Sequence, residues 1–178
     1  MMISDSSPLI LYGRINKLDM LLKVYGEILI APEVYQEVVV RGKEHGYPDA
    51  FLIEELVKAN KIEIKYLEKA AGFQALRLQS LYGFLDPGEG ETIALALQLK
   101  QKEVLIDEEM ARGAARLFDL TPRGSLRVIL EAYSKGIITK EDVFTILKEL
   151  IDAGLRIGAD VLERFYELFR EMERKRKS

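Results

Sequence analysis

The chain has 178 residues, of which 48% are apolar and 31% charged, with no cysteine and a formal net charge of −3. This suits one cored domain rather than a disordered chain, and it excludes disulfides and thiolate metal sites. The acidic balance speaks against a general nucleic-acid coat. No apolar run reaches the roughly 18 residues of a membrane span and no secretory leader is visible, so a cytoplasmic location without a membrane partner is expected.

Met2 to Asp5 reads as a short buried strand. Pro8 then opens a helix, and Leu18, Leu21, Leu22 and Tyr25 recur at helical spacing up to Gly26. Ile28-Leu29-Ile30 is a second strand, and Pro32 begins a helix expected to end at Gly42. A polar loop from Lys43 to Pro48 leads to a helix carrying Phe51, Ile53, Leu56 and Val57. Ile62 to Tyr66 alternates apolar and polar residues, as an edge strand does. Ala70 to Leu81 is helical, Gly83 to Gly88 a loop, and Glu89 to Lys100 a helix apolar nearly all round. Glu103 to Asp107 is a strand of the central kind, followed by an alanine-rich helix from Met110 to Phe118. From Gly124 onwards the pattern is purely helical, with stops at Gly136 and Gly154 and a basic end, Arg174-Lys175-Arg176-Lys177, read as a solvated tail. Short apolar strands alternating with helices predict an α/β fold, a parallel sheet covered on both faces, with a C-terminal helical extension.

Acidic residues gather at the ends of these elements. Asp5 and Asp107 each close an apolar strand, the end at which open α/β sheets bind ligands. Asp5 also fits a helix N-cap ahead of Ser6-Ser7-Pro8. Glu37 lies one turn into the Pro32 helix, and Glu33 shares its face. Glu89 and Glu91, two apart on one helix, point about 200° away from each other and cannot both face one pocket. Glu91 is favoured for chemistry and Glu89 for capping. Carboxylates brought together repel unless a divalent cation neutralises them. Oxygen donors suit Mg²⁺ or Mn²⁺, and a single histidine with no cysteine cannot build a zinc site. His45 sits in a polar loop and reads as a surface residue; Arg112, Arg116, Arg123 and Arg127 suit either phosphate or salt bridges.

Five segments stand in order along the chain: Asp5-Ser6-Ser7-Pro8-Leu9-Ile10, Pro32-Glu33-Val34-Tyr35-Gln36-Glu37-Val38, Gly88-Glu89-Gly90-Glu91-Thr92-Ile93-Ala94-Leu95-Ala96, Leu105-Ile106-Asp107-Glu108-Glu109-Met110-Ala111-Arg112 and Gly124-Ser125-Leu126-Arg127-Val128-Ile129-Leu130. Together they resemble the PIN-domain family, in particular an archaeal and bacterial subgroup whose members share the first of these motifs. The resemblance implies a PIN-like α/β/α sandwich over residues 1–150, with 151–178 as a C-terminal helix packed on or extending it.

The resemblance further implies a Mg²⁺- or Mn²⁺-dependent endoribonuclease acting on single-stranded RNA, VapC-like, the toxin of a pair with an antitoxin protein, and a homodimer. The family's acids map onto Asp5, Glu37, Glu91 (a Glu where the family has Asp) and Asp107, as catalytic residues and metal ligands. Ser6, Glu89, Glu108 and Arg112 are secondary candidates, Glu108 as the alternative fourth acid and Ser6 or Ser7 as the hydroxyl beside the first. The family's threonine-asparagine-aspartate reads Ile106-Asp107-Glu108 here, which leaves a catalytically degenerate interaction module as the alternative. A phosphatase of the haloacid-dehalogenase type needs a second Asp where Ser7 stands.

Overall fold

The computed structural model describes residues 1–176; Lys177 and Ser178, the end of the basic tail and of the expected extension, lie outside the described residues. The first half of the chain runs β1 (Met2–Ser4), α1 (Ser6–Arg14), α2 (Leu18–Tyr25), β2 (Ile28–Ile30) and α3 (Pro32–Tyr35). The last of these continues through a π-helical segment (Gln36–Arg41) into α4 (Gly42–Glu44). Then come α5 (Pro48–Lys58), β3 (Ile62–Ile64), α6 (Lys69–Leu81), α7 (Pro87–Gln98), β4 (Glu103–Leu105), α8 (Glu109–Leu117) and β5 (Thr121–Arg123). Three helices close the chain: α9 (Ser125–Ser134), α10 (Lys140–Asp152) and α11 (Ala159–Arg176).

The strands make a parallel sheet in the order β3-β2-β1-β4-β5, with Ile3 in register with Leu29 on one side and Val104 on the other. Every residue of β1 and β2 is buried, as strands covered on both faces must be. The expected α/β architecture with C-terminal helices is what the chain adopts, and β3 lies at the edge its alternation predicted. The core continues from the sheet into α9 (Val128, Ile129, Tyr133) and α10 (Val143, Ile146, Leu150). The helix α11 is polar over most of its surface and anchors through Phe165 and Phe169, the latter packing 5.1 Å from the Tyr133 ring. Leu155, Ile157, Leu162 and Leu168 are partly buried against that core, while Val161 is exposed.

Two elements differ from expectation. The stretch after α8 holds a fifth strand, β5, which pairs residue for residue with Glu103, Val104 and Leu105 of β4. Its sequence, Thr-Pro-Arg, has no apolar alternation, and Pro122 lacks the N–H a central strand would need; an edge position tolerates both. The second difference is at Gly42, which does not terminate its helix: its backbone is helical (φ −58°, ψ −41°) and the helix runs on to Glu44. What selects glycine there is crowding, because a Cβ at Gly42 would lie 2.7 Å from the Cβ of Ala50 on α5. α1 approaches α5 just as closely at Gly13, whose Cβ would lie 2.7 Å from that of Asp49.

Gly42→Ala is therefore expected to destabilise the fold by about 1–3 kcal/mol through overpacking. Gly72→Ala, in α6 with open space around it, should be neutral or stabilising by up to about 1 kcal/mol. Urea denaturation of the pair checks this; equal midpoints for Gly42→Ala and wild type would show that α5 can yield at no cost.

Candidate active site

The strand order reverses between β1 and β4, and ligands of doubly wound sheets bind in the crevice beyond the strand ends at such a point. Asp5 is the residue after β1 and Asp107 lies two residues after β4. The Asp5 N–H donates to the Leu105 carbonyl at 2.9 Å, so the sheet itself fixes the first acid against the strand that carries the second. Asp5 occupies the N-cap position of α1, yet its side chain makes no capping hydrogen bond. It is 3% exposed, and its Oδ1 has no hydrogen-bond partner. Burial holds its carboxyl well above the usual range, and the charges of Asp86, Glu89 and Glu37 add to the effect.

Glu37 reaches this place from the π-helical segment. A π turn carries one more residue than an α turn and is frequent at functional sites. Here it presents Glu37 while Val38 and Val39 both stay buried. The Ser6 hydroxyl donates to Glu37 Oε2 at 2.6 Å, joining the start of α1 to that turn. The start of α7 supplies the third wall. Gly88 is the common point: a Cβ there would lie 3.4 Å from Asp86 Oδ1, 3.4 Å from Glu37 Oε2 and 3.6 Å from Asp5 Oδ1. The missing side chain leaves a cradle lined by carboxylate oxygens from three elements.

Asp86 and Glu89 form a capping box, with the Glu89 N–H donating to Asp86 Oδ1 at 2.7 Å and the Asp86 N–H donating to Glu89 Oε2 at 2.9 Å. Sequence reading takes Asp86 only as a helix opener; the Asp-Pro-Gly-Glu box is the available signal that this turn is fixed. Glu89 is 4% exposed, and its carboxyl is pushed up to about 7 by burial, with Asp86, Glu108 and Glu37 as further acidic neighbours. It therefore caps α7 and faces the acids at once. Glu91 points elsewhere, as the two-residue spacing requires: it accepts from the Glu33 N–H at 2.8 Å, satisfying a free donor at the start of α3.

Asp107 is held by Ser125, whose N–H donates to Oδ1 at 2.7 Å and whose hydroxyl donates to Oδ2 at 2.6 Å. The buried Tyr12 hydroxyl in turn donates to the Ser125 carbonyl at 3.0 Å. Burial raises the Asp107 carboxyl, opposed by the Ser125 hydrogen bonds and by Arg112. Arg112 donates to the Ile106 carbonyl at 3.1 Å and pairs with Glu109. Glu108 is exposed, and its charge acts on both Asp107 and Glu89, so it links the two halves of the site.

None of the ion pairs among the described residues includes Asp5, Glu37, Asp86, Glu89 or Asp107. Nor do three acidic or histidine side chains among the described residues already stand as a closed chelating set. The oxygen cradle at Gly88 and the unpartnered buried Oδ1 of Asp5 nonetheless fit a hard divalent cation. Elsewhere, His45 is exposed and stacks on Tyr47 at 5.6 Å. Arg116, Arg123 and Arg127 pair with Glu109, Glu103 and Glu131, which decides their role for salt bridges.

The raised carboxyls give a signed pH dependence. Folded Glu89 keeps its proton up to about 7, whereas the unfolded chain loses it near 4.5. Between those values the folded state binds more protons, so stability is fully present below the lower one and falls as pH rises through the upper. Asp5 and Asp107 shift in the same direction. In chelator, urea unfolding should show stability decreasing from about pH 5 to about 7.5, with Glu89 contributing up to about 3 kcal/mol, and Glu89→Gln should flatten the slope. A stability that rises across this window would contradict the burial of uncompensated acids.

Compared with known proteins, residues 1–171 match the family model DUF3368, described as a PIN domain. No curated protein and no solved structure matched the chain. PIN domains are typically nucleases that act on nucleic acid and generally use divalent metal ions. No described helix is long and apolar enough to cross a membrane. With the strand order, the acids at its reversal and a match over nearly the whole length, the chain belongs to the PIN-domain family.

Proposed function

We propose that the chain is a VapC-like, Mg²⁺- or Mn²⁺-dependent endoribonuclease that hydrolyses single-stranded RNA as the toxin of a toxin–antitoxin pair. The observation that carries this reading is the Asp5 carboxylate, buried with an unpartnered oxygen among Glu37, Asp86 and Glu89 and with no cationic side chain paired to it. Such a group is costly in the folded state without an added cation. Asp5, Glu37 and Asp107 would hold the ion, with Asp86 and Glu89 on the cradle's rim. Glu91, in this reading, positions α3 and so the turn bearing Glu37. When bound, the ion supplies Lewis-acid polarisation of the phosphoryl group and acidifies water.

The remaining work falls to the chain. Ser6 orients Glu37 and Ser125 orients Asp107, each through a hydrogen bond of 2.6 Å. Glu89, pushed up to about 7 by burial before any ion binds, is the rim carboxyl that keeps a proton nearest neutrality, and the capping box fixes its position. A protein partner, antitoxin or second copy, is supported by the exposed apolar side of α6, where Phe73 and Leu76 are each 63% exposed.

Asp5→Ala is expected to lower Mn²⁺-dependent cleavage of single-stranded RNA by at least about 100-fold; an Asp5→Ala protein that cuts like wild type would sink the assignment. Gly88→Ala puts a methyl group at ordinary contact distance inside the cradle. It should leave stability within about 0.5 kcal/mol and weaken Mn²⁺ binding about 10-fold or more by calorimetry. Absence of Mn²⁺ uptake by the wild type would favour the non-catalytic interaction module instead.

A further inference from the structure

A cleft of about 390 Å³ opens beside the acids and is shared by α1 and the connection between α10 and α11. One wall is a single stripe of α1: Ser7, Ile10, Leu11 and Arg14, spaced so that all four share a face. Leu155 and Arg156 lie along the other side, and Asp107 and Glu108 close the end nearest the active site. The cleft therefore runs from the acidic cluster to a pair of guanidinium groups, over an apolar floor. Ser7 and Arg14 are separated by roughly 10 Å along the helix.

The two arginines differ from the others near the site. Arg112, Arg116, Arg123 and Arg127 are all paired with glutamates, whereas neither Arg14 nor Arg156 pairs with a carboxylate among the described residues. Arg14 donates to the Ala153 carbonyl at 3.0 Å, which fixes the connection against α1 and uses one of its five N–H groups. Gly154, at φ +112°, lets the chain turn there into the wall carrying Arg156.

We propose that this cleft binds the substrate strand next to the scissile phosphodiester, with Arg14 and Arg156 on phosphate oxygens and Ile10, Leu11 and Leu155 under a sugar or base. The proposal rests on the reading of the acids as a cleavage site and names where the single strand lies. Phosphate contacts of this kind position a strand without reading its sequence, and each releases counterions. They therefore appear in the salt dependence of binding, a readout that a merely structural arginine does not move.

The test measures anisotropy of a fluorescein-labelled single-stranded RNA 12-mer on Asp5→Asn protein, which the preceding reading expects not to cut. Adding Arg156→Glu should weaken binding at least about 10-fold and reduce the slope of log K against log salt by about 0.7. Arg14→Glu should act in the same way, and Arg156→Lys should restore most of the slope, since the point charge is kept. In the wild-type background Arg156→Glu should raise KM with kcat unchanged. Unchanged affinity and slope in both charge reversals, or no RNA binding by the Asp5→Asn protein, overturns the proposal. If the wild type cuts while the reversals bind normally, the cleft fails and the cleavage reading stands. If the arginines set the slope while the wild type never cuts, the cleft stands and the cleavage reading fails.

Discussion

Asp5 sits where the backbone of β1 leaves the sheet, tied through its N–H to Leu105 and surrounded by side chains that exclude water. Three more carboxyls approach it from other elements, and no cationic side chain is paired with it. In a low-dielectric seam that arrangement is tolerable only with protons or a metal ion present, so the charge state of the site is bound to its occupancy. The rest of the architecture serves to hold this unfavourable grouping in place. The π turn, the capping box and the Ser125 clamp each fix one acid by bonds that do not depend on the cation.

The supports are themselves linked. Tyr12 on α1 reaches Ser125 on α9, and Ser125 holds Asp107, so one buried chain of hydrogen bonds runs from the helix that starts at Asp5 to the second acid. Ser6, at the other end of that helix, holds Glu37. The helix α1 is thus a shared rod for three of the acids, and its outward stripe forms the cleft wall beside them. The pre-organisation expected of a site for charged chemistry is supplied by neutral hydroxyls and backbone N–H groups, with Arg112 as a counter-charge acting on Asp107.

Much of this is legible in the sequence, for definite reasons. The strands β1, β2 and β4 each carry a short apolar core, Met2-Ile3, Ile28-Leu29-Ile30 and Val104-Leu105-Ile106, followed within two residues by an acid or a proline, and that pattern gives both a parallel sheet and the place of its ligand edge. The spacing of Glu89 and Glu91 shows that they diverge, but not which one turns inward. That depends on Glu33 offering a free N–H to Glu91, a contact 58 residues away in sequence. β5 is hidden because three residues including a proline carry no period at all. Gly42 reads as a stop because close helix approach and helix termination leave the same letter in the sequence. Asp86 is overshadowed by its own capping role.

The shortness of the strands has a further consequence. Both edges of the sheet, β3 and β5, offer only three residues each, and one of them contains Pro122. Edges so brief give an incoming strand almost no ladder to extend. Cross-strand pairing between Arg123 and Glu103 places charge beside the β5 edge as well. Addition of a foreign strand to either side is therefore disfavoured.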